Sequence, residues 1–260
     1  MPVESPGNAN APPVPAQAAS ALVLRPCAGG AAGGAEVLIV RRHQNMRFLG
    51  GYWVFPGGMM DAADAGMPAV PGRSRASSSL AQENRPSRGF AVAAARELFE
   101  ETGLSIDVSR FQPWAHWITP SVLRRRFDTW FFIVAAPVGQ TVQIDGAEVD
   151  DICWRQPVEW AFGAHVADFP ITPPTQLVLR ELAQELEACG SLDNLLAAAA
   201  GRSVRKVLPK LVGGETGDVV LPWDAEYNEL PGEGAVWDAG AIAERSGWPS
   251  RMPARMGKAQ

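Results

Sequence analysis

The chain has 260 residues, 47% of them apolar, enough for one sizeable core with added helices or for two small domains. A net charge of -5 gives no general attraction to a nucleic acid polymer or to an anionic membrane surface. No apolar run reaches the length of a membrane span, and the acidic, proline-rich start lacks the basic-then-apolar order of a secretion signal, so a cytoplasmic location is expected.

Residues 1–20 are rich in Pro, Ala and Asn and are predicted to be a disordered tail. Residues 21–25 and 36–42 read as strands joined by the glycine-rich stretch 29–34. Residues 53–55 form a short extended piece that Pro56 ends. Residues 67–86 mix Pro, Ser, Ala and Arg without periodicity, which predicts an inserted loop bounded by about residues 65 and 88. Residues 90–101 read as a helix whose apolar side can draw on Ala91, Ala94, Ala95, Leu98 and Phe99, with Gly103 stopping it in a C′ position. The chain then leaves toward another strand, and residues 126–136 carry the strongest strand pattern. Residues 142–144 and 152–155 are shorter strand candidates. Two helices follow at 175–189 and 192–200, with Pro173 and Pro174 fixing the entry and Thr175 placed to cap. Residues 204–210 and 219–221 suggest strands in a C-terminal extension. The main domain spans 21–230, its extension occupies 173–230, and 231–260 is a tail of unassigned order. Cys27, Cys153 and Cys189 are too scattered for a disulfide framework or a zinc site.

The most informative stretch is Arg96-Glu97-Leu98-Phe99-Glu100-Glu101-Thr102-Gly103-Leu104. Glu97, Glu100 and Glu101 fall within about one and a half helical turns and are expected to share one face, so like charges meet. They also sit at the helix C-terminus, where the dipole disfavours anions. A hard divalent cation turns both costs into binding, which points to a Mg2+ or Mn2+ site acting on a phosphoanhydride. In this reading Glu97 and Glu101 hold the principal ion. Glu100 holds a second ion or orients a water, and Arg96 reaches toward Glu100 as a positioning residue. Arg41, Arg42 and Arg47 are candidates to clamp a diphosphate, because guanidinium matches phosphate oxygens in pairs, and Arg41 leads them by its position at the end of a strand running toward the glycines. Trp53 and Trp117 are candidates to stack on a base, and each is also a plausible core residue. Arg124, Arg125 and Arg126 read as surface, and His116, with no histidine near it, is not read as a metal ligand.

The same stretch resembles the helical half of the Nudix box, and Trp53-Val54-Phe55-Pro56-Gly57-Gly58 resembles its first half. In the usual box a glycine and a further glutamate stand at fixed short distances before the arginine. Here those positions hold Gln82 and Arg88, so the box is split by an insertion. Asp61 and Asp64 follow Gly58, roughly where the family's early glutamate would be. The Gly51–Gly58 segment, Trp117-Ile118-Thr119-Pro120, Arg126-Phe127-Asp128-Thr129-Trp130-Phe131-Phe132, Pro173-Pro174-Thr175 and Leu221-Pro222-Trp223-Asp224 look similar to a Nudix subgroup that includes an animal mitochondrial and peroxisomal coenzyme A diphosphatase.

The resemblance implies an α/β fold, a Nudix-type α/β/α sandwich with a mixed sheet and a C-terminal extension of helices and short strands. It implies a diphosphatase with Glu97, Glu100 and Glu101 as metal ligands and a backbone carbonyl of Gly57 or Gly58 completing the shell. A late glutamate ahead of a strand often contributes in this family. Glu148 stands there, and it reads either as a base or ligand or as part of a solvated acidic loop with Asp145, Asp150 and Asp151. The expected partner is a small diphosphate substrate, with coenzyme A or an acyl derivative as the favoured example. A nucleotide sugar, a dinucleoside polyphosphate and NADH are competing substrates. A non-catalytic nucleotide-binding module and an interaction domain are the competing classes. No nucleic acid polymer and no membrane are expected, and a homodimer is compatible with the sequence without a surface assigned to it.

Overall fold

The computed structural model describes residues 12–27, 34–66, 86–144, 146–162, 169–214 and 217–254. Most of the glycine-rich stretch 29–34, nearly all of the expected insertion and Asp145 lie outside these residues.

The central sheet is mixed and runs β3-β2-β1-β6-β5-β8, with β4 attached to β1 and β7 to β2. Its strands are β1 (Ala16–Pro26), β2 (Ala35–Arg42), β3 (Trp53–Val54), β4 (Gly57–Met59), β5 (Gln112–Ile118), β6 (Phe127–Ala135), β7 (Val149–Arg155) and β8 (Lys206–Val207). β1 and β6 are parallel over nine residue pairs, from Ala16 opposite Phe127 to Leu24 opposite Ala135. On its other edge β1 divides its partners: residues 18–20 pair with β4 and residues 24–26 with β2.

Side chains alternate across this sheet as its pleat demands. Ala19, Ala21, Val23, Trp130, Phe132 and Val134 meet Phe90, Ala94 and Leu98 of a helix on one face. Leu22, Leu24, Phe131 and Ile133 belong to a second cluster on the other face, with Leu177, Leu179 and Leu182. The helices are α1 (Ala62–Ala65), α2 (Arg88–Thr102), α3 (Pro157–Phe162), α4 (Pro173–Cys189), α5 (Leu192–Ala199) and α6 (Ala239–Ala243). α2 covers the first face and α4 the second, giving the α/β/α sandwich expected from the sequence. The C-terminal extension supplies α4, α5 and two strands, β9 (Lys210–Val212) and β10 (Asp218–Val220), which form a second, antiparallel sheet with β11 (Arg251–Pro253).

Several expectations need correction. Residues 16–20, assigned to a disordered tail, form the first half of β1, with Ala19 fully buried. Small side chains there are weak strand formers in isolation, but they are what fits beneath β4 and α2. Residues 142–144 form no strand. The cap of α4 is Thr172, whose hydroxyl accepts from the Thr175 N–H, so Pro173 takes the first helical position that its fixed φ favours. Phe99 is 56% exposed rather than part of the buried side of α2. Residues 231–254, left unassigned, include α6 and β11 and bury Ala241 and Met252.

Candidate active site

The buried stripe of α2 runs through Phe90, Ala94 and Leu98 at spacings of four. Continued by three residues, it reaches Glu101. A carboxylate thus occupies a core position, 3% exposed, at the end of an apolar face. Glu97 lies one turn earlier with a side chain 14% exposed, and Glu100 swings outward to 54%. The three acids therefore fan from core to solvent instead of sharing one surface. Gly103 ends the helix in the left-handed region at φ 70°, and its N–H donates to the Phe99 carbonyl at 2.8 Å.

The glycine pair meets these acids across 44 residues of sequence: the Gly57 N–H donates to Glu101 Oε2 at 3.0 Å. A Cβ on Gly58 would stand 2.5 Å from the Glu97 carboxylate, and one on Gly57 would stand 2.3 Å from the Ala19 carbonyl oxygen. These two glycines let β4 lie directly against α2 and β1. Gly57→Ala should lower stability by about 2 kcal/mol, because backbone must move. Gly58→Ala should unfold near the wild-type temperature yet lose about 100-fold in rate, because only the Glu97 tip must yield and a displacement near 1 Å is costly to catalysis. Thermal unfolding beside kcat/KM separates the two.

Arg96 ties the acids to the rest of the site. Its guanidinium donates to Glu97 at 2.9 Å, Glu100 at 3.0 Å, Asp64 at 2.9 Å and the Met59 carbonyl at 2.9 Å. Asp64 also accepts from the Asp61 N–H at 2.8 Å and is almost fully buried. Burial pushes Asp64 up, but Arg96 and the Asp61 N–H outweigh it, and the carboxyl ends below its usual range. Arg96 is itself held protonated more firmly than a free guanidinium, chiefly by Asp64.

Burial is also the largest influence on Glu97 and Glu101. Arg96 only partly offsets it at Glu97, which stays raised. At Glu101 the Gly57 N–H opposes burial, the charges of Glu97 and Glu148 reinforce it, and the carboxyl rises to about 8. Among the described residues no three His, Cys, Asp or Glu side chains form a ready metal-holding group. The donor set nonetheless fits a hard cation: two carboxylates raised by burial lie beside the glycine pair, and the missing Cβ of Gly58 leaves room against Glu97.

A cleft of about 530 Å3 is lined by Gly57, Gly58, Glu97 and Glu100 together with Arg42 and Glu148, whose charges both act on Glu101. The bulge between Arg41 and Arg42 gives neighbouring arginines different surroundings. Arg42 lines the cleft and donates to the Phe48 carbonyl at 3.2 Å. Arg41 does not line it and pairs with Asp150 at 2.6 Å. Glu148 is brought near the acids because its carbonyl accepts from the His43 N–H at 2.7 Å. Trp53 is packed against Trp160 and Phe169 in the core, whereas Trp117, also buried, contributes to the cleft wall.

The arginine run divides. Arg125 lines the cleft, with its guanidinium 4.7 Å from the Phe48 ring centre and 5.3 Å from that of Phe127. Arg126 is buried and donates to the carbonyls of Pro13 at 2.8 Å and Thr119 at 3.1 Å and to Glu233 at 2.7 Å. Arg124 is exposed. His116 stacks on Trp130 and bonds Asp128 at 2.6 Å, away from the acids. Sequence reasoning assigned no site role to Phe48, Thr119, Arg125 or Thr172, all of which line the cleft. Thr119 alone falls in a segment noted for family resemblance; Phe48 and Thr172 carried no signal, and Arg125 was read as surface.

Residues 16–173 match the NUDIX domain. A curated relative, putative nudix hydrolase 7 of Caenorhabditis elegans, is 23% identical over 214 residues, covering 68% of this chain and 66% of that protein. The chain thus spans just under two thirds of that relative. The crystal structure of a NUDIX hydrolase from Alicyclobacillus acidocaldarius superposes with a TM-score of 0.55 at 24% identity, covering 71% of this chain and 96% of that one. The NUDIX domain of Shewanella oneidensis NrtR, crystallised with ADP ribose, gives a TM-score of 0.45 at 17% identity, covering 67% and 90%. The domain match takes in both the glycine pair and the acidic end of α2, and the chain belongs to the NUDIX domain family.

Proposed function

We propose that the enzyme is a Mg2+- or Mn2+-dependent diphosphatase of the coenzyme A-cleaving subgroup, with a split Nudix box and coenzyme A or an acyl derivative as substrate. The observation that carries the metal reading is the approach of Glu97 and Glu101 to Gly57 and Gly58. The subgroup and substrate rest on the motif resemblances along the chain. Glu97, Glu101 and a carbonyl of Gly57 or Gly58 would hold the principal ion, and Glu100 would serve a second ion or orient the attacking water. When bound, such an ion offsets phosphate charge and supplies Lewis acidity. Arg96 keeps Glu97 and Glu100 in place. Glu148 lines the same cleft and is the candidate to accept the proton of the attacking water. Arg42 orients the diphosphate. Three free thiols among the described residues suit a reducing cytoplasm. No described helix is long and apolar enough to cross a membrane.

The test is a panel of coenzyme A, acyl-coenzyme A, nucleotide sugars, dinucleoside polyphosphates and NADH, with Mg2+ and with Mn2+. Coenzyme A substrates are expected to give the highest kcat/KM, yielding 3′-phosphoadenosine phosphate and a phosphopantetheine product. Faster cleavage of another class overturns the substrate, and inertness toward every member overturns the enzyme. On the best substrate Arg42→Ala should raise KM about tenfold, since a charge-assisted phosphate contact is lost. Arg41→Ala should change KM less than about twofold, because Arg41 is engaged with Asp150.

A further inference from the structure

The match to the Nudix domain ends at residue 173, yet the cleft does not. Part of its wall is Pro209, Leu211, Val219 and Ala254, from the small C-terminal sheet and the residues that flank its strands. Leu211 and Val219 are directly opposed across β9 and β10, so their side chains leave that small sheet on one face. Their neighbours Lys210 and Val220, also opposed, leave on the other face. There the Lys210 ammonium donates to the carbonyls of Tyr227 at 2.9 Å and Leu230 at 2.6 Å. The Tyr227 hydroxyl donates to the Leu208 carbonyl at 2.5 Å and accepts from the Ala235 N–H at 2.8 Å. These bonds fix the register that turns Leu211 and Val219 toward the cleft.

We infer that the extension selects the substrate, favouring diphosphate esters whose non-reacting end is apolar. The inference rests on the diphosphatase reading of the same cleft. The four wall residues contributed by the small sheet and its flanks are all apolar, the polar Thr175 lying apart from them on α4, and Trp117 and Phe131 of the central sheet line the same cleft. A sugar hydroxyl placed against that wall would lose water without gaining a partner, whereas an alkyl group gains from leaving water. The volume of about 530 Å3 exceeds what a diphosphate requires, so the remainder is available to the ester group.

The probes are adenosine diphosphate esters of n-alkanols, ethyl to octyl, and their methylene-bridged analogues, which cannot be cleaved between the phosphorus atoms. Hydrolysis adds one water across the anhydride and releases AMP and an alkyl phosphate. On the full chain, affinity for the bridged analogues is expected to rise about two- to fourfold per added methylene over the first several carbons. KM for the cleavable esters should fall in parallel. Leu211→Asn should cut the octyl-to-ethyl affinity ratio about tenfold, while Leu211→Met should keep it. Val219→Thr, which preserves shape and adds a hydroxyl, provides the same test should Leu211→Asn fail to fold. Affinity independent of chain length, in protein that cleaves the ethyl ester, overturns the inference and leaves the diphosphatase reading standing. Chain-length-dependent binding without cleavage of any ester removes the catalytic reading and supports the apolar selection.

Discussion

Glu101→Gln is expected to lower kcat/KM by about three orders of magnitude while the protein remains folded. The amide can still accept the Gly57 N–H, so the helix–glycine contact persists and only the negative charge is removed. A pH signature accompanies the rate loss. Burial first, then the charge of Glu97, raises the native Glu101 carboxyl to about 8 from 4.5. Between those values the folded protein retains a proton that the unfolded chain has released. Metal-free wild type should therefore lose stability as pH rises through this window and level off above it. Glu101→Gln should flatten that decline and be the more stable protein at about pH 9. Added Mg2+ should raise the unfolding temperature of wild type most at alkaline pH and do little for the variant. Thermal unfolding across pH, with and without Mg2+, measures all of this; an unchanged pH slope in the variant removes Glu101 as its source.

The second large effect belongs to Arg96. The sequence alone suggests that its loss costs rate more than stability. The structure adds a cost to stability, because Asp64 is buried and its principal partner is Arg96. Arg96→Met should destabilise by about 3–5 kcal/mol, the usual effect of leaving a buried charge unpaired. It should also slow turnover by about 100-fold as Glu97 and Glu100 lose their tether. Asp64→Asn in the same background removes the stranded charge and should restore most of the stability without restoring kcat. Denaturant unfolding and steady-state kinetics on the single and double variants separate the two roles. Recovery of rate together with stability would mean that Arg96 acts only through the fold.

The sandwich was legible because α2, β2 and β6 carry strong local patterns. The candidate site was legible because its acids and glycines occur in two compact runs. What the sequence concealed was set by partners distant along the chain. Ala16 to Ser20 become strand only because β6 and β4 pair with them. The burial of Glu101 follows from the spacing Phe90, Ala94, Leu98, Glu101, a signal present in the sequence but masked when the three glutamates are grouped by charge. Arg125 and Arg126 look alike in a basic run and part only because one meets Phe48 and the other meets Pro13, Thr119 and Glu233. Leu211 and Val219 carry no local mark of a site. Their place in the cleft depends on how the small sheet docks.

The buried Arg126 guanidinium has a consequence for trimming and cleavage of this polypeptide. It fastens the lead-in to the first strand, the cleft-lining segment at Thr119 and a late acidic loop with one set of donors. Clipping away Pro13, or everything from Glu233 onward, removes no acid and no glycine from the catalytic pole. Either cut frees a donor beside Thr119, so damage far along the chain is transmitted to a residue of the cleft wall.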